Sequence, residues 1–170
     1  HSRSTGSIPF MHVVDSQMLA FNQGVTRRGS YAAYMDISHP EIEEFIGMRK
    51  STGGDLNRKC LNLHNAVNIT NEFLEAVKED KDWRLIDPKT NEALKTISAR
   101  DLWWQLIYTR AETGEPYIIN IDLCNELMPE EQKKLGLHIS QSNLCSEIML
   151  PTSEERTAVC CLSSVNLEHF

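Results

Sequence analysis

The stretch SQSNLCSEIMLPT, residues 140–152, sets Asn143, Cys145 and Glu147 at alternate positions shortly ahead of a Leu-Pro. In an extended segment residues i, i+2 and i+4 line one face, so a carboxamide, a thiol and a carboxylate would meet the same ligand. A carboxamide can grip a hydroxyl, a sulfur can carry a redox step and a carboxylate can take up a proton. The competing reading is a loop with a packed cysteine, because free Cys is among the most buried residue types. The rest of the chain decides between them.

The 170 residues, 41% hydrophobic and 24% charged, suffice for one domain with a sizeable core. A net charge of −7 argues against a general affinity for nucleic acid or anionic membrane and leaves small molecules and proteins as partners. No apolar run is long enough to span a bilayer, and the opening HSRSTGSIPF lacks the charged and apolar regions of a secretion signal, so a cytoplasmic location is expected. Cysteines at 60, 124, 145, 160 and 161 make an odd number without a CxxC pair. That pattern fits neither a disulfide framework nor a zinc ribbon, and predicts reduced thiols and no metal site.

Helices and strands alternate along the chain, which predicts an α/β sheet or barrel. Phe10, Val14, Met18 and Phe21 recur at helical spacing from Ile8 to Asn22, and the helix should stop by Gly24. SYAAYMDIS, residues 30–38, reads as a strand. Pro40 opens a short helix with Ile42, Phe45 and Ile46 on one face. NAVNI (65–69) reads as a strand, and Thr70 can cap a helix that turns Phe73, Leu74 and Val77 inward. DWRLIDPKTNEAL (82–94) is an excursion with a turn around Pro88. Ser98 and Asp101 cap a helix whose stripe is Ala99, Leu102, Trp103, Leu106 and Ile107, and Gly114 ends it. YIINID (117–122) is a buried strand, residues 141–152 form a loop, and TAVCCLSSVNL (157–167) is a further strand. On that last strand Cys160 and Cys161 would point to opposite faces, so only one of them can face a site. A strand at the end of the chain with no helix to cover it predicts a piece of a larger domain.

A second candidate site is FNQGVTRRGSYAAY, residues 21–34. It can be a helix C-cap with a solvated basic loop. Two glycines flank VTRR, however, and two arginines on a pliable loop can reach a phosphate or stack on a base.

Taken together, SNLCSEIMLPT, AVCCLSSVNL, STGSIPF, NQGVTRRGSYAAY and HPEIEEFIGMRK, in their order along all 170 residues, resemble the large catalytic subunit of ribonucleoside-diphosphate reductase. The resemblance implies that residues 1–170 are a fragment of one catalytic domain, roughly the middle of a ten-stranded α/β barrel, with residues 141–152 as its central finger loop. It implies that Cys145 becomes a thiyl radical and abstracts the ribose 3′ hydrogen. Glu147 would accept the 3′-hydroxyl proton, Asn143 would hold the ribose hydroxyls, and Cys160 would be one of the two thiols that end as a disulfide, which leaves Cys161 packed in the core. Residues 21–30 resemble the specificity loop, with Gln23 and Arg27 on the positions that select the base; several relatives have glycine where Arg28 stands.

The family's partners follow by the same implication: a ribonucleotide substrate, a nucleoside triphosphate effector, a second copy of the subunit and the remainder of the barrel. They include a thioredoxin- or glutaredoxin-type dithiol reductant and a radical-generating small subunit that contains the metal. The NLC triplet and the fifteen-residue step from Cys145 to Cys160 resemble the aerobic class I enzymes more than the cobalamin-dependent class II. The fragment by itself is expected to be inactive. The alternative is a non-catalytic nucleotide-binding or assembly fragment that completes a barrel with another chain.

Overall fold

The computed structural model describes residues 4–169. Its centre is a three-stranded parallel sheet of β3 (Ala32–Asp36), β4 (His64–Ile69) and β7 (Tyr117–Asn120), with β4 in the middle. Five of the six residues of β4 are buried, as a parallel strand covered on both faces requires. Register places Tyr34 beside Ala66 and Ala66 beside Tyr117, so these three form one row across the sheet.

Alternation then sorts the side chains onto two faces. Ala33, Met35, Val67 and Ile69 join the main core with Phe45, Ile46, Phe73, Leu102 and Leu106. These come from α2 (Ile42–Gly47), α3 (Asn71–Lys78) and α4 (Ala99–Thr113), which cover that face. The other face carries Tyr34, Asp36, His64, Ala66, Asn68, Tyr117 and Ile119. Ala66 and Ile119 are buried without belonging to the helical core, because the chain around residue 140 returns across them. Asn68 Nδ2 donates to the Ser140 carbonyl at 2.9 Å, and the Tyr34 hydroxyl to the Asn143 carbonyl at 2.7 Å.

Local signals place the helices. Thr70 Oγ1 accepts from the Phe73 amide at 3.1 Å and Ser98 Oγ from the Asp101 amide at 3.1 Å, so both caps form where the sequence puts them. Gly114 at φ +81° ends α4 in the left-handed conformation that glycine adopts freely. The excursion after α3 is an antiparallel hairpin of β5 (Asp82–Ile86) and β6 (Ala93–Ser98). Its turn is closed by Asp87, which accepts from the Lys89 and Thr90 amides. Trp83 packs edge-on against Phe73 with centroids 5.1 Å apart.

Three expectations change. The first helix, α1 (Ile8–Ala20), stops before Asn22, and Phe10 and Phe21 are exposed. It is anchored instead by Ile8 and by Asp15, 4% exposed, which accepts from Asn62 N at 2.8 Å, from Asn62 Nδ2 at 3.1 Å and from the Leu63 amide. Phe10, Val13 and Leu19 face outward, while Met11 packs against the core. Strand β7 ends at Asn120, whose side chain caps α5 (Ile121–Glu126), so Asp122 is helical. α6 (Glu130–Lys134) follows. Residues 157–166 form no strand. A strand needs a ladder partner for its amides, and no described segment supplies one. Val159, Leu162 and Val165 are therefore exposed, and Cys161 is exposed beside Cys160 instead of packed.

The helical core predicts its own sensitivity. Phe45 is fully buried, so Phe45→Ala should lower unfolding stability by about 3–5 kcal/mol. Chemical denaturation followed by tryptophan fluorescence measures it; a loss below about 1 kcal/mol would mean that Phe45 is not in the cooperative core.

Candidate functional site

On the face of the sheet opposite the helices, residues 142–148 close on themselves. The Asn143 carbonyl accepts from the Ser146 amide at 3.1 Å, which makes a turn with Cys145 at its third position. Ser146 stands at φ +67°, a conformation that disfavours a residue with a side chain by roughly 1–2 kcal/mol. The carboxamide of Asn143 offsets this from inside. Its Oδ1 accepts from the Glu147 and Ile148 amides, both at 3.1 Å, while Ser142 Oγ donates to the Ile148 carbonyl at 2.8 Å.

This geometry corrects the one-face reading. The segment is a turn, not an extended strand, so alternation does not govern it. Asn143 is half-buried with its oxygen committed to the turn, and it has only its Nδ2 hydrogens to offer a ligand. Cys145 and Glu147 are exposed.

A cavity of about 340 Å³ adjoins the turn. Ser142, Asn143, Ile148, Arg156, Thr157 and Cys160 are among its lining residues. Asn143 and Cys160 therefore share one space, while Cys145 and Glu147 lie outside its lining. The basic loop is elsewhere: β1 (Asn22–Gln23) pairs with β2 (Arg27–Arg28) in a small antiparallel hairpin in which Gln23 faces Arg27 along the backbone. Arg27 and Arg28 are exposed, and the side chain of Gln23 lies outside the described residues. Gly29 has a packing reason. A Cβ there would sit 2.9 Å from the Met18 carbonyl.

Two tyrosines that read only as strand residues in the sequence face this turn. Burial pushes the Tyr34 phenol above its ordinary value; the hydroxyls of Ser146 and Ser142 oppose that shift, and Glu147 and Cys145 add to it. Tyr117 is likewise raised, first by burial and then by Glu115 and Cys145. At the start of the same face Glu115, 8% exposed, receives the Asn65 amide at 3.2 Å, meets His64 Nδ1, and faces Arg49 Nε at 3.1 Å without hydrogen-bond alignment. The His64 ring stacks on Tyr117 with centroids 6.3 Å apart. Only alternation along SYAAYMDIS, read with the register of its neighbours, could have pointed to this polar face. Among the described residues no group of three or more His, Cys, Asp and Glu is arranged to hold a metal ion, and no helix is long and apolar enough to cross a membrane.

The fold and site thus define a three-stranded parallel α/β sheet that carries a cysteine turn on the face opposite its helices. Residues 1–170 match the barrel domain of ribonucleotide reductase from end to end, and the chain belongs to that family. It is 55% identical over 169 residues to the putative ribonucleoside-diphosphate reductase large subunit of Frog virus 3 (isolate Goorha), covering 99% of this chain and 30% of that one. The large subunit of Invertebrate iridescent virus 3 is 43% identical over 222 aligned residues, covering 99% of this chain and 35% of that one. Among solved structures, the class Id ribonucleotide reductase alpha subunit of Actinobacillus ureae aligns with a TM-score of 0.73 at 30% identity, over 93% of this chain and 26% of that one. The chain spans about a third of the length of these curated relatives.

The cysteines separate by environment. Cys60 is fully buried, and burial, followed by the nearby Asp15 carboxylate, pushes its thiol from 9.0 up to about 11. Iodoacetamide at pH 8 should modify Cys145, Cys160 and Cys161 and spare Cys60 until the chain unfolds; peptide mapping that finds Cys60 modified at the same rate would contradict its burial. The folded chain keeps a proton that the unfolded chain releases, so this contribution to stability is whole below pH 9 and is lost as pH rises through about 11.

Proposed function

We propose that the chain is part of a ribonucleotide reductase catalytic subunit that reduces ribonucleoside diphosphates to deoxyribonucleotides for DNA synthesis. The observation that carries the reading is the conjunction of Asn143, Cys145, Glu147 and Cys160 in a chain of this family, with the cysteine turn held on the inner face of the sheet.

Each residue has a step suited to its chemistry. Cys145, exposed at the third position of the turn, is where a hydrogen atom can leave sulfur and a second be taken from the ribose 3′ carbon. Glu147, exposed two residues on, takes the 3′-hydroxyl proton as general base. Asn143 donates from Nδ2 to a ribose hydroxyl, since its oxygen is occupied by the turn. Cys160 with a second thiol supplies two electrons as their S–H bonds give way to a disulfide, while the 2′-hydroxyl leaves as water. An external dithiol of the thioredoxin or glutaredoxin type then reopens the disulfide by exchange.

The remaining partners belong to the same proposal. A radical-generating subunit with its own metal starts the reaction, on the class I pattern. Gln23, Arg27 and Arg28 form the loop that reads the nucleoside triphosphate effector. The outward apolar side of α1, with Phe10 and Val13 exposed, is the face for a second copy in a homodimer. The remainder of the barrel covers the exposed residues after 157, and the site of action is the cytoplasm.

The test is steady-state deoxynucleotide formation by the complete subunit with its radical partner and a dithiol. Cys145→Ser should fall to background, because a serine O–H bond is too strong to open by the same relay, while substrate still binds. Glu147→Gln should retain binding and lose most turnover. Cys160→Ser should stop dithiol-driven turnover, and Cys161→Ser should not; the reverse order would place the reducing thiol one residue later.

The turn itself separates two roles of one side chain. Asn143→Asp keeps the oxygen that accepts from Glu147 and Ile148 but removes the Nδ2 donor. Turnover should fall at least tenfold, on the order of one lost charge-free hydrogen bond in the transition state, with the fold unchanged by circular dichroism. Full activity of this variant would rule out the donor role.

A further inference from the structure

The tightest link between the sheet and the cysteine turn is made by a residue outside the reacting set. Tyr34 lies in the middle of β3, and its hydroxyl donates to the Asn143 carbonyl at 2.7 Å. That carbonyl is also the acceptor for the Ser146 amide, the bond that closes the turn around Cys145. One oxygen therefore accepts both the bond that closes the turn and a bond from the sheet. Its neighbour in the row is Ala66, fully buried and without a side-chain donor to offer the turn. Tyr117, next along the row, has its ring stacked on His64, and no hydrogen bond from its hydroxyl to the turn is found. The second attachment, Asn68 to the Ser140 carbonyl, lies three residues earlier and holds the approach to the turn.

Ser146 at φ +67° gives the turn a reason to relax if its anchor is cut. A phenol donor suits this role because two χ angles fix its direction, and the ring is gripped by the strand while the oxygen reaches out. We propose that Tyr34 is a positioning residue of the finger turn, whose hydroxyl, by holding the Asn143 carbonyl, fixes where the Cys145 thiol stands relative to substrate. The turnover arm of the test rests on the functional reading given above; the exchange arm does not.

The experiment uses the complete large subunit in three forms: wild type, Tyr34→Phe and Tyr117→Phe. Amide hydrogen exchange by mass spectrometry should show the peptide containing Ser146, Glu147 and Ile148 opening about five- to tenfold faster in Tyr34→Phe, the effect of one net hydrogen bond. Peptides from β3 and β4 should keep their wild-type rates. Tyr117→Phe should leave the turn within twofold of wild type. In turnover, Tyr34→Phe should lower kcat about tenfold with KM unchanged, and 4-aminophenylalanine at position 34, which restores a donor, should recover most of that loss.

Unchanged exchange in the turn would overturn the proposal, as would equal acceleration through β3 and β4, which marks lost packing in place of a lost anchor. A loosened turn with wild-type kcat would overturn the positioning role. If the wild-type subunit shows no nucleotide reduction, the functional reading fails by itself, and the exchange rates alone decide whether Tyr34 holds the turn.

Discussion

Strand β4 cannot be solvated on either side, and the arrangement around it follows from that constraint. One face of the sheet is satisfied by apolar contact with α2, α3 and α4, where Phe45, Phe73, Leu102 and Leu106 are buried almost completely. The other is covered by a returning loop, whose backbone carries polar groups that need partners. Asn68 and Tyr34 provide them. The inner face is polar because what covers it is a loop and not a helix.

The same requirement explains how a strained turn can sit there. Left to itself, a turn with Ser146 in the left-handed conformation would open. It is held by Asn143 through two backbone amides from within and by Tyr34 from the sheet. The cysteine at its third position is left exposed while its backbone is anchored at either end. For chemistry at sulfur this is a useful combination, since a reacting atom must be reachable but its position fixed.

Electrostatics on this face are arranged around neutral phenols. Tyr34 and Tyr117 are both raised by burial, so each keeps its proton and remains a donor. The Glu115 carboxylate is met by Arg49, His64 and the Asn65 amide at the other end of the strands. Its charge is met there by Arg49, and it still helps to raise the Tyr117 phenol. Asp15 plays a comparable part at the edge, where a buried carboxylate with three donors fixes α1 beside Ile8 while Phe10 and Val13 stay exposed.

The sequence alone determined several helix ends, which depend on near neighbours. Thr70, Ser98 and Gly114 end or begin helices because capping is decided within one turn of chain, and the faces of α2 and α3 follow from helical period. It also determined the family, since SNLCSE, AVCCLSS and NQGVTRRGS are residue patterns. What it could not determine was which partner each segment meets. TAVCCLSSVNL has the composition of a strand and no ladder to join among the described residues; α1 has an apolar stripe and is anchored by Asp15. Asn143, Cys145 and Glu147 alternate in sequence, yet the turn that holds them is set by hydrogen bonds reaching from Asn143 to Ile148 and from Tyr34, 109 residues away, to Asn143. Periodicity is a property of isolated segments, and long-range hydrogen bonds exist only once the tertiary structure has brought their partners together.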